Sequence, residues 1–139
     1  MQQTNSMVKV VHVAVGVILR DSQVLLALRS STQHQGGKWE FPGGKVEAGE
    51  TVPQALSREL YEEIAITVTQ SSAFMQLEYA YPEKTVLLDI YLVTGFDGQP
   101  HGREGQPLRW ASSTELSAIE FPDANQPIVE RIQEYLSQS

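Results

Sequence analysis

Three glutamates stand close together in the middle of the chain, at Glu59, Glu62 and Glu63. On a helix that turns about 100° per residue, Glu63 falls about 40° to one side of Glu59, and Glu62 about 60° to the other. The three carboxylates would therefore share one face of the helix. Like charges on adjacent turns destabilise a helix, and a divalent cation that prefers hard oxygen ligands, above all Mg²⁺, would relieve the repulsion.

A solvated acidic face is the alternative interpretation of these three glutamates, because charged runs on helices usually serve only to face solvent. The neighbouring residues favour metal chemistry instead. A predicted loop with the paired glycines Gly43 and Gly44 precedes the helix, Glu50 stands at a turn, and Arg58 lies next to Glu59. This mixture of residue types is more specific than an acidic run alone.

The helix that carries the glutamates is predicted to begin near Thr51, with Pro53 in its first turn, where a missing N–H costs little. Leu56, Leu60 and Ile64 recur at intervals of four residues beside the acidic face. This stripe is the predicted buried face of the helix.

The composition is that of a globular protein of one domain, with 139 residues, 41% of them hydrophobic, and no cysteine. Disulfides, thiol catalysis and zinc–thiolate sites are excluded. The net charge of −7 disfavours binding to a nucleic-acid polymer, and a phosphate substrate would have to arrive with metal ions. Val8–Leu19 is too short to span a membrane and is followed by no cleavage site, so the sequence predicts a cytoplasmic protein, with a monomer favoured and residues 1–6 flexible.

Strand and helix patterns alternate along the chain. The predicted strands are Val8–Leu19, Val24–Leu28, a β-rich stretch within Thr67–Ala80, Thr85–Phe96 and Leu108–Ala111. A capping box is predicted at Ser112–Glu115, and an amphipathic helix at Pro127–Leu136. The predicted connections are a turn at Arg20–Ser22, a polar loop at Ser30–Gly37, a turn at Tyr81–Lys84, and loops at Asp97–Pro107 and Phe121–Gln126. Strands on both sides of the acidic helix indicate an α/β or α+β protein with a mixed sheet and helices on both faces.

The spacing of the central motif resembles that of the Nudix hydrolases, G-x5-E-x7-R-E-U-x-E-E-x-G-U, where U is aliphatic. The residues in register are Gly44, Glu50, Arg58, Glu59, Leu60, Glu62, Glu63 and Ile66. The sequence departs from the pattern at Ala65, where the family has a glycine that suits a left-handed helix cap. The resemblance implies the Nudix fold, an α/β/α sandwich with a mixed sheet between helices, as a single domain over residues 1–139.

Three further stretches resemble the MutT branch of the family, which sanitises oxidised guanine nucleotides and so prevents mutation. They are Lys38–Gly44, Gly102–Pro107 and Phe121–Pro127. The resemblance implies an 8-oxo-dGTP diphosphatase that hydrolyses the triphosphate to the monophosphate and pyrophosphate. Two alternatives stay open: a Nudix enzyme for another nucleotide, such as a modified cytidine triphosphate, and a catalytically silent nucleotide-binding module.

The resemblance also implies a metal site for Mg²⁺, with Mn²⁺ able to substitute. Its ligands would be the Gly44 carbonyl, Glu59, Glu63 and Glu104, and Glu62, close by, would take part in catalysis with them. Arg58 would hold a catalytic glutamate, although a surface pair with Glu62 is its alternative role. Either Glu59 or Glu104 would act as the general base. Considered alone, Glu104 would be a solvated loop residue.

The residues that the resemblance brings to the nucleotide are Arg29, His34, Phe41, Gly43, Tyr81 and Asn125. Phe41 is favoured over Trp39 as a wall for the base. His34 has a plain loop histidine as its alternative. Asn125 would either read the base or cap the terminal helix, a role that asparagine also fills well. Lys84 is predicted to be a solvated turn residue.

Overall fold

The computed structural model describes residues 9–29 and 36–138. Its strands are β1 (Val10–Arg20), β2 (Gln23–Leu28), β3 (Trp39–Glu40), β4 (Gly43–Lys45), β5 (Thr67–Tyr81), β6 (Lys84–Asp97) and β7 (Leu108–Ser112). Its helices are α1 (Val52–Ile64), α2 (Ser113–Leu116) and α3 (Gln126–Ser137), with a 3-10 turn at Asp123–Asn125. No helix within the described ranges is long and apolar enough to cross a membrane.

The sheet is mixed and is centred on β1. The strand order is β3-β2-β1-β6-β5, with β4 also paired to β1 and β7 paired to β2. Strands β1 and β6 run parallel, and the remaining pairs are antiparallel. Parallel neighbouring strands need a long connection that returns the chain to the same end of the sheet. The chain between β1 and β6, which includes α1, provides such a connection.

Helices cover both faces of the sheet, as predicted. On one face, Ala14 and Ile18 of β1 pack with Leu56, Leu60 and Ile64 of α1. The alternate residues of β1 point to the other face, because successive side chains of a strand point to opposite sides. There Val15 and Val17 join Ile128 and Ile132 of α3 in a second core. The predicted α/β/α sandwich is confirmed.

Helix α1 begins and ends with defined caps. The Thr51 hydroxyl accepts a hydrogen bond from the Gln54 N–H at 3.2 Å, and the Gln54 side chain accepts one from the Thr51 N–H at 2.8 Å. Pro53 lies in the first turn, where its missing N–H leaves no bond unmade. The helix ends at Ala65, whose backbone is left-handed with φ 64° and ψ 30°. The family's cap is therefore present without its glycine.

The predicted glycine loop at Gly43 and Gly44 is wrong, because these residues form strand β4. Gly43 pairs with Val15, and Gly44 pairs with Ala14. A Cβ on Gly43 would lie 2.0 Å from the Ala14 carbonyl oxygen, and one on Gly44 would lie 2.2 Å from Cδ of Glu59. The two glycines are needed for the close approach of β4 to β1 and α1 rather than for a flexible loop.

Several predicted boundaries move by a few residues. The turn at Tyr81–Lys84 is shorter than predicted, because both of these end residues belong to strands. The predicted capping box at Ser112–Glu115 is confirmed, with the Glu115 N–H bound to the Ser112 hydroxyl at 3.3 Å. The predicted loop at Phe121–Gln126 contains the 3-10 turn. Residues 1–6 and 30–35 lie outside the described ranges.

We expect Ala65→Gly to stabilise the protein, because a left-handed backbone costs a residue with a Cβ roughly 1–2 kcal/mol that glycine does not pay. Thermal melting should show a higher midpoint, and kcat should stay nearly unchanged. Asp21→Gly, in the turn between β1 and β2 where φ is also positive at 53°, is the positive control and should raise the midpoint as well. A lower midpoint for Ala65→Gly would contradict the left-handed cap.

Candidate active site

Two adjoining cavities lie at the sheet, the first lined by β1, β4, β6 and α1, and the second by the end of β2 and the loop after β6. The first has a volume of about 480 Å³, within the usual range for small-molecule sites. Its apolar wall is formed by side chains from β1 and β6, namely Val11, Val13, Val15, Val86 and Leu88. Its polar lining includes Arg29, Glu40, Lys45, Glu59, Glu63, Tyr81, Lys84 and Asn125. An apolar group and an anionic, metal-binding group can therefore be held side by side.

Strand β4 holds the carboxylates of α1 at the cavity. Gly43 and Gly44 both line the cavity together with Glu59 and Glu63. The Gly43 N–H donates to Oε1 of Glu63 at 3.3 Å. The missing side chain of Gly44 leaves room for the Glu59 carboxylate, which is only 18% exposed. Two of the three predicted acidic residues of α1 are thus fixed where a ligand would enter.

Arg58 organises the outer side of the acidic cluster. Its guanidinium binds Glu50 through both Nε, at 2.6 Å, and Nη2, at 3.0 Å. Nη1 donates to Glu59 at 3.0 Å and to Glu62 at 3.2 Å. Nη2 also reaches the Lys45 carbonyl at 3.1 Å, which ties α1 to β4. The two roles predicted for Arg58, as holder of a glutamate and as partner of Glu62, occur together.

Glu62 takes a different place from the other acidic residues of α1. Its side chain is 58% exposed, and it lines neither cavity. Its proposed catalytic contribution stays a prediction.

The charges around Glu63 perturb its proton affinity. Burial, followed by repulsion from Glu40, Glu59 and Glu104, raises the pKa of Glu63 to about 8. Burial also raises the pKa of Glu59, against the opposing effect of Arg58. By contrast, hydrogen bonds from Arg58 lower the pKa of Glu50 to about 2. Among the described residues, Glu63 thus lacks the arginine partner that Glu50 and Glu59 have.

The oxygen atoms of the predicted ligands are of the kind that a divalent metal prefers. Mg²⁺ and Mn²⁺ take carboxylate and carbonyl oxygens, and Glu59, Glu63 and Glu104 supply the carboxylates. Burial and then repulsion from Glu40 are the larger causes of the raised pKa of Glu63, but repulsion from Glu59 and Glu104 adds to them, and a bound cation would offset these repulsions. Within the described ranges, however, no three acidic or histidine side chains are close enough together to hold a metal ion as they stand. Binding would therefore require side chains such as the exposed Glu104 to turn inward.

Glu104 lines the second cavity, whose volume is about 650 Å³, together with Glu63. The two cavities share Arg29, Glu40 and Glu63. The long loop after β6 therefore brings Glu104 to the same carboxylates that the first cavity contains. Glu104 therefore lies beside the proposed ligands but is itself exposed, and its ligand role stays a prediction.

Glu40 is a site residue that the sequence reasoning missed. Its carboxylate binds Nη1 of Arg29 at 2.5 Å, at the boundary of the two cavities. Burial raises the pKa of Glu40, and Arg29 opposes the effect. The available signal was a lone acid between two aromatics, Trp39 and Phe41, in a short strand.

The aromatic residues of the first cavity are mostly buried. Phe41 lines the cavity but is only 4% exposed, and it stacks on Phe121 with centroids 5.2 Å apart and planes at 11°. Phe41 therefore belongs to the core and also lines the cavity, and its contact with the base stays a prediction. Tyr81 also lines the cavity, and burial raises its pKa, while a hydrogen bond with the Ala124 backbone opposes the rise.

Asn125 lines the first cavity and does not cap α3. It occupies the residue before the helix, but its backbone is helical and its side chain makes no capping hydrogen bond. The capping alternative is therefore wrong. Lys84 also lines this cavity and is half-buried, so its prediction as a solvated residue is wrong as well. His34 lies outside the described residues.

We expect the metal-free protein to lose stability as the pH rises from the ordinary carboxyl pKa of 4.5 to about 8. Over this range the folded state keeps a proton on Glu63 that the unfolded state releases, so the free energy of unfolding falls with pH. Glu63→Gln should flatten this dependence, because an amide does not titrate. Denaturant unfolding in a chelator at several pH values measures this dependence. Glu130→Gln, at an exposed position of α3, is the control. Equal slopes for wild type and Glu63→Gln would contradict the assignment.

Comparison with known proteins agrees with this architecture. The chain is 42% identical to the 8-oxo-dGTP diphosphatase of Escherichia coli (strain K12) over 125 residues, which cover 89% of this chain and 97% of that protein. It is 35% identical to the CTP pyrophosphohydrolase of the same organism over 122 residues, 88% of this chain and 90% of the relative.

A solved structure shows the same fold. It comes from work on MutT of Aliivibrio salmonicida and Vibrio cholerae, is 44% identical, and superimposes with a TM-score of 0.81 over 94% of this chain and 100% of that chain. The family model described as the NUDIX domain matches residues 14–131, which include β4, α1, the loop with Glu104 and the first half of α3. The chain belongs to the NUDIX domain family.

Proposed function

We propose that this protein is a nucleoside triphosphate pyrophosphohydrolase that converts 8-oxo-dGTP to 8-oxo-dGMP and pyrophosphate. The observation that carries the proposal is the continuity of one cavity. Asn125 and the apolar wall of β1 and β6 line the same space as Glu59 and Glu63. A base held at one end would therefore place its phosphates beside the carboxylates. The similarity to the E. coli 8-oxo-dGTP diphosphatase supports the choice of substrate.

The reaction would use a divalent metal, as Nudix hydrolases generally do, and we propose Mg²⁺ with Mn²⁺ as a substitute. The residues to hold it are Glu59, Glu63, Glu104 and the Gly44 carbonyl. When bound, the metal neutralises phosphate charge and lowers the pKa of an attacking water. The acidic chain needs such ions, because its net charge of −7 otherwise repels a triphosphate.

Arg58 would act by holding Glu59 in place. Its charge-assisted bond from Nη1 holds Glu59, and its bidentate pair with Glu50 fixes Arg58 itself. Glu59 and Glu104 are the two candidates for the base that takes a proton from water. Arg29 and Glu40, at the boundary of the cavities, would face the part of the nucleotide between base and phosphates.

Asn125 is the residue proposed to read the oxidised base. Guanine presents two acceptors, O6 and N7, on one edge. Oxidation at C8 converts N7 to an N–H donor, so the edge offers an acceptor beside a donor. An amide offers the complementary pair, NH₂ and C=O, whereas ordinary guanine would set N7 against the amide oxygen. The Asn125 side chain is available for this role because it does not cap α3.

A related substrate is the second candidate. The 35% identity to the E. coli CTP pyrophosphohydrolase favours a modified cytidine triphosphate as the alternative. A catalytically silent module is disfavoured, because Glu59, Glu63 and Glu104 are all retained and line the cavities. The cytoplasmic location and the monomeric state stay predictions.

A turnover panel of oxidised and normal nucleoside triphosphates with Mg²⁺ tests the proposed function. We expect the highest kcat/KM for 8-oxo-dGTP, pyrophosphate as a product, and no turnover in excess chelator. Glu63→Gln, expected to lose roughly 10²–10⁴ in kcat, controls for contaminating enzymes. A preference for a cytidine nucleotide would select the second candidate, and full activity in chelator would overturn the metal mechanism.

Asn125→Ala tests how the base is read. The variant should lose roughly 1–3 kcal/mol of discrimination, which lowers kcat/KM for 8-oxo-dGTP far more than for dGTP. The free energy of unfolding should change little, because no cap is removed. Gln126→Ala, at the exposed neighbouring position, is the matched control. An unchanged ratio of the two kcat/KM values would show that Asn125 does not read the base.

A further inference from the structure

The loop between β6 and β7 is fastened to the C-terminal end of α1. The last carbonyls of a helix have no partner inside the helix and must find one elsewhere. Here the His101 N–H donates to the Ile64 carbonyl at 3.1 Å, and the Arg103 N–H donates to the Glu63 carbonyl at 3.0 Å. The loop therefore supplies partners to the helix end.

The Arg103 side chain adds a second attachment. Its Nε donates to the Tyr61 carbonyl at 2.8 Å, and its guanidinium lies 4.9 Å from the centre of the Tyr61 ring. A cation at this end is also favoured by the helix dipole. These contacts hold the backbone on the N-terminal side of Glu104.

Gln106 links the two segments most directly. Its Oε1 accepts a hydrogen bond from the Glu104 N–H at 2.9 Å, and its Nε2 donates to the Glu63 carbonyl at 3.3 Å. A Cβ on Gly102 would lie 2.2 Å from the Gln106 carbonyl oxygen and 2.7 Å from its Oε1, so a glycine is needed for this approach. The half-buried amide of Gln106 thus connects the main chains of Glu63 and Glu104, which both line the second cavity.

From this bridge we infer that Gln106 is a positioning residue for the metal site, which holds Glu104 in register with Glu63. Glu104 is exposed on a long loop, and without the bridge only the contacts of His101 and Arg103, on its N-terminal side, would tie that loop to α1. Binding of a metal that needs both carboxylates would then carry the entropy cost of ordering the loop. The inference rests on the metal ligands proposed above.

Gln106→Met tests the bridge, because methionine has a similar length but neither amide group. We expect Mn²⁺ binding in the absence of nucleotide, measured by calorimetry, to weaken by about 10–100-fold. The Mg²⁺ concentration for half-maximal activity should rise by a similar factor, while kcat at saturating Mg²⁺ stays within a few-fold of wild type. Should this variant fail to fold, Gln106→Asn, which is too short to span both partners, carries the same expectation.

Gln133→Met is the matched control. Gln133 is also half-buried and donates to a backbone carbonyl, that of Ser113, at 2.9 Å, but it lines neither cavity. Its Mn²⁺ affinity should be that of wild type. Mn²⁺ affinity of Gln106→Met within two-fold of wild type, or an equal loss in Gln133→Met, would overturn the bridge while leaving the proposed function standing. A wild-type protein that binds no Mn²⁺ would overturn the metal site itself and the bridge with it.

Discussion

The crowding of carboxylates on one end of α1 is the constraint on which the rest of the site depends. Arg58 neutralises the outer part of this charge, with short bonds to Glu50 and Glu59 and longer bonds to Glu62 and the Lys45 carbonyl. Such a network among half-exposed groups contributes little to stability, since solvent screens each pair. Its main consequence is geometric. Arg58 links α1 to β4 and also fixes Glu59 at the cavity. The packing of β4 against α1 and the placement of the Glu59 carboxylate therefore depend on the same side chain.

The negative charge of Glu63 is not neutralised by Arg58. Glu63 lies on the inner side of α1, where burial and the charges of Glu40, Glu59 and Glu104 raise its pKa. A protein evolved for stability alone would replace such a group, because an uncompensated buried charge is costly. A divalent cation, the ligand proposed for this site, would offset the cost of ionising Glu63 beside three other carboxylates. In that proposal, α1 supplies two carboxylates and the loop after β6 supplies the third.

The sequence predicted the parts of the site that depend on short-range spacing. The acidic face of α1 follows from helical geometry, and the Nudix spacing identified its partners. Residues whose role depends on contacts between distant strands were missed or misjudged. Glu40 meets Arg29 only because β2 and β3 pair, and Lys84 reaches the cavity because β6 begins at that residue. The sequence predicts a loop at Gly43, since it does not reveal how closely the Ala14 carbonyl approaches this residue.

Anomalous diffraction from crystals soaked in Mn²⁺ tests the central claim most directly, because it locates the metal independently of turnover. The account predicts Mn²⁺ between α1 and the loop after β6, bound by Glu59, Glu63 and Glu104, with the Gly44 carbonyl as a further ligand. Arg58 should keep its bonds to Glu50 and Glu59 in that structure. Mn²⁺ bound elsewhere, or bound at α1 without Glu104, would contradict the account.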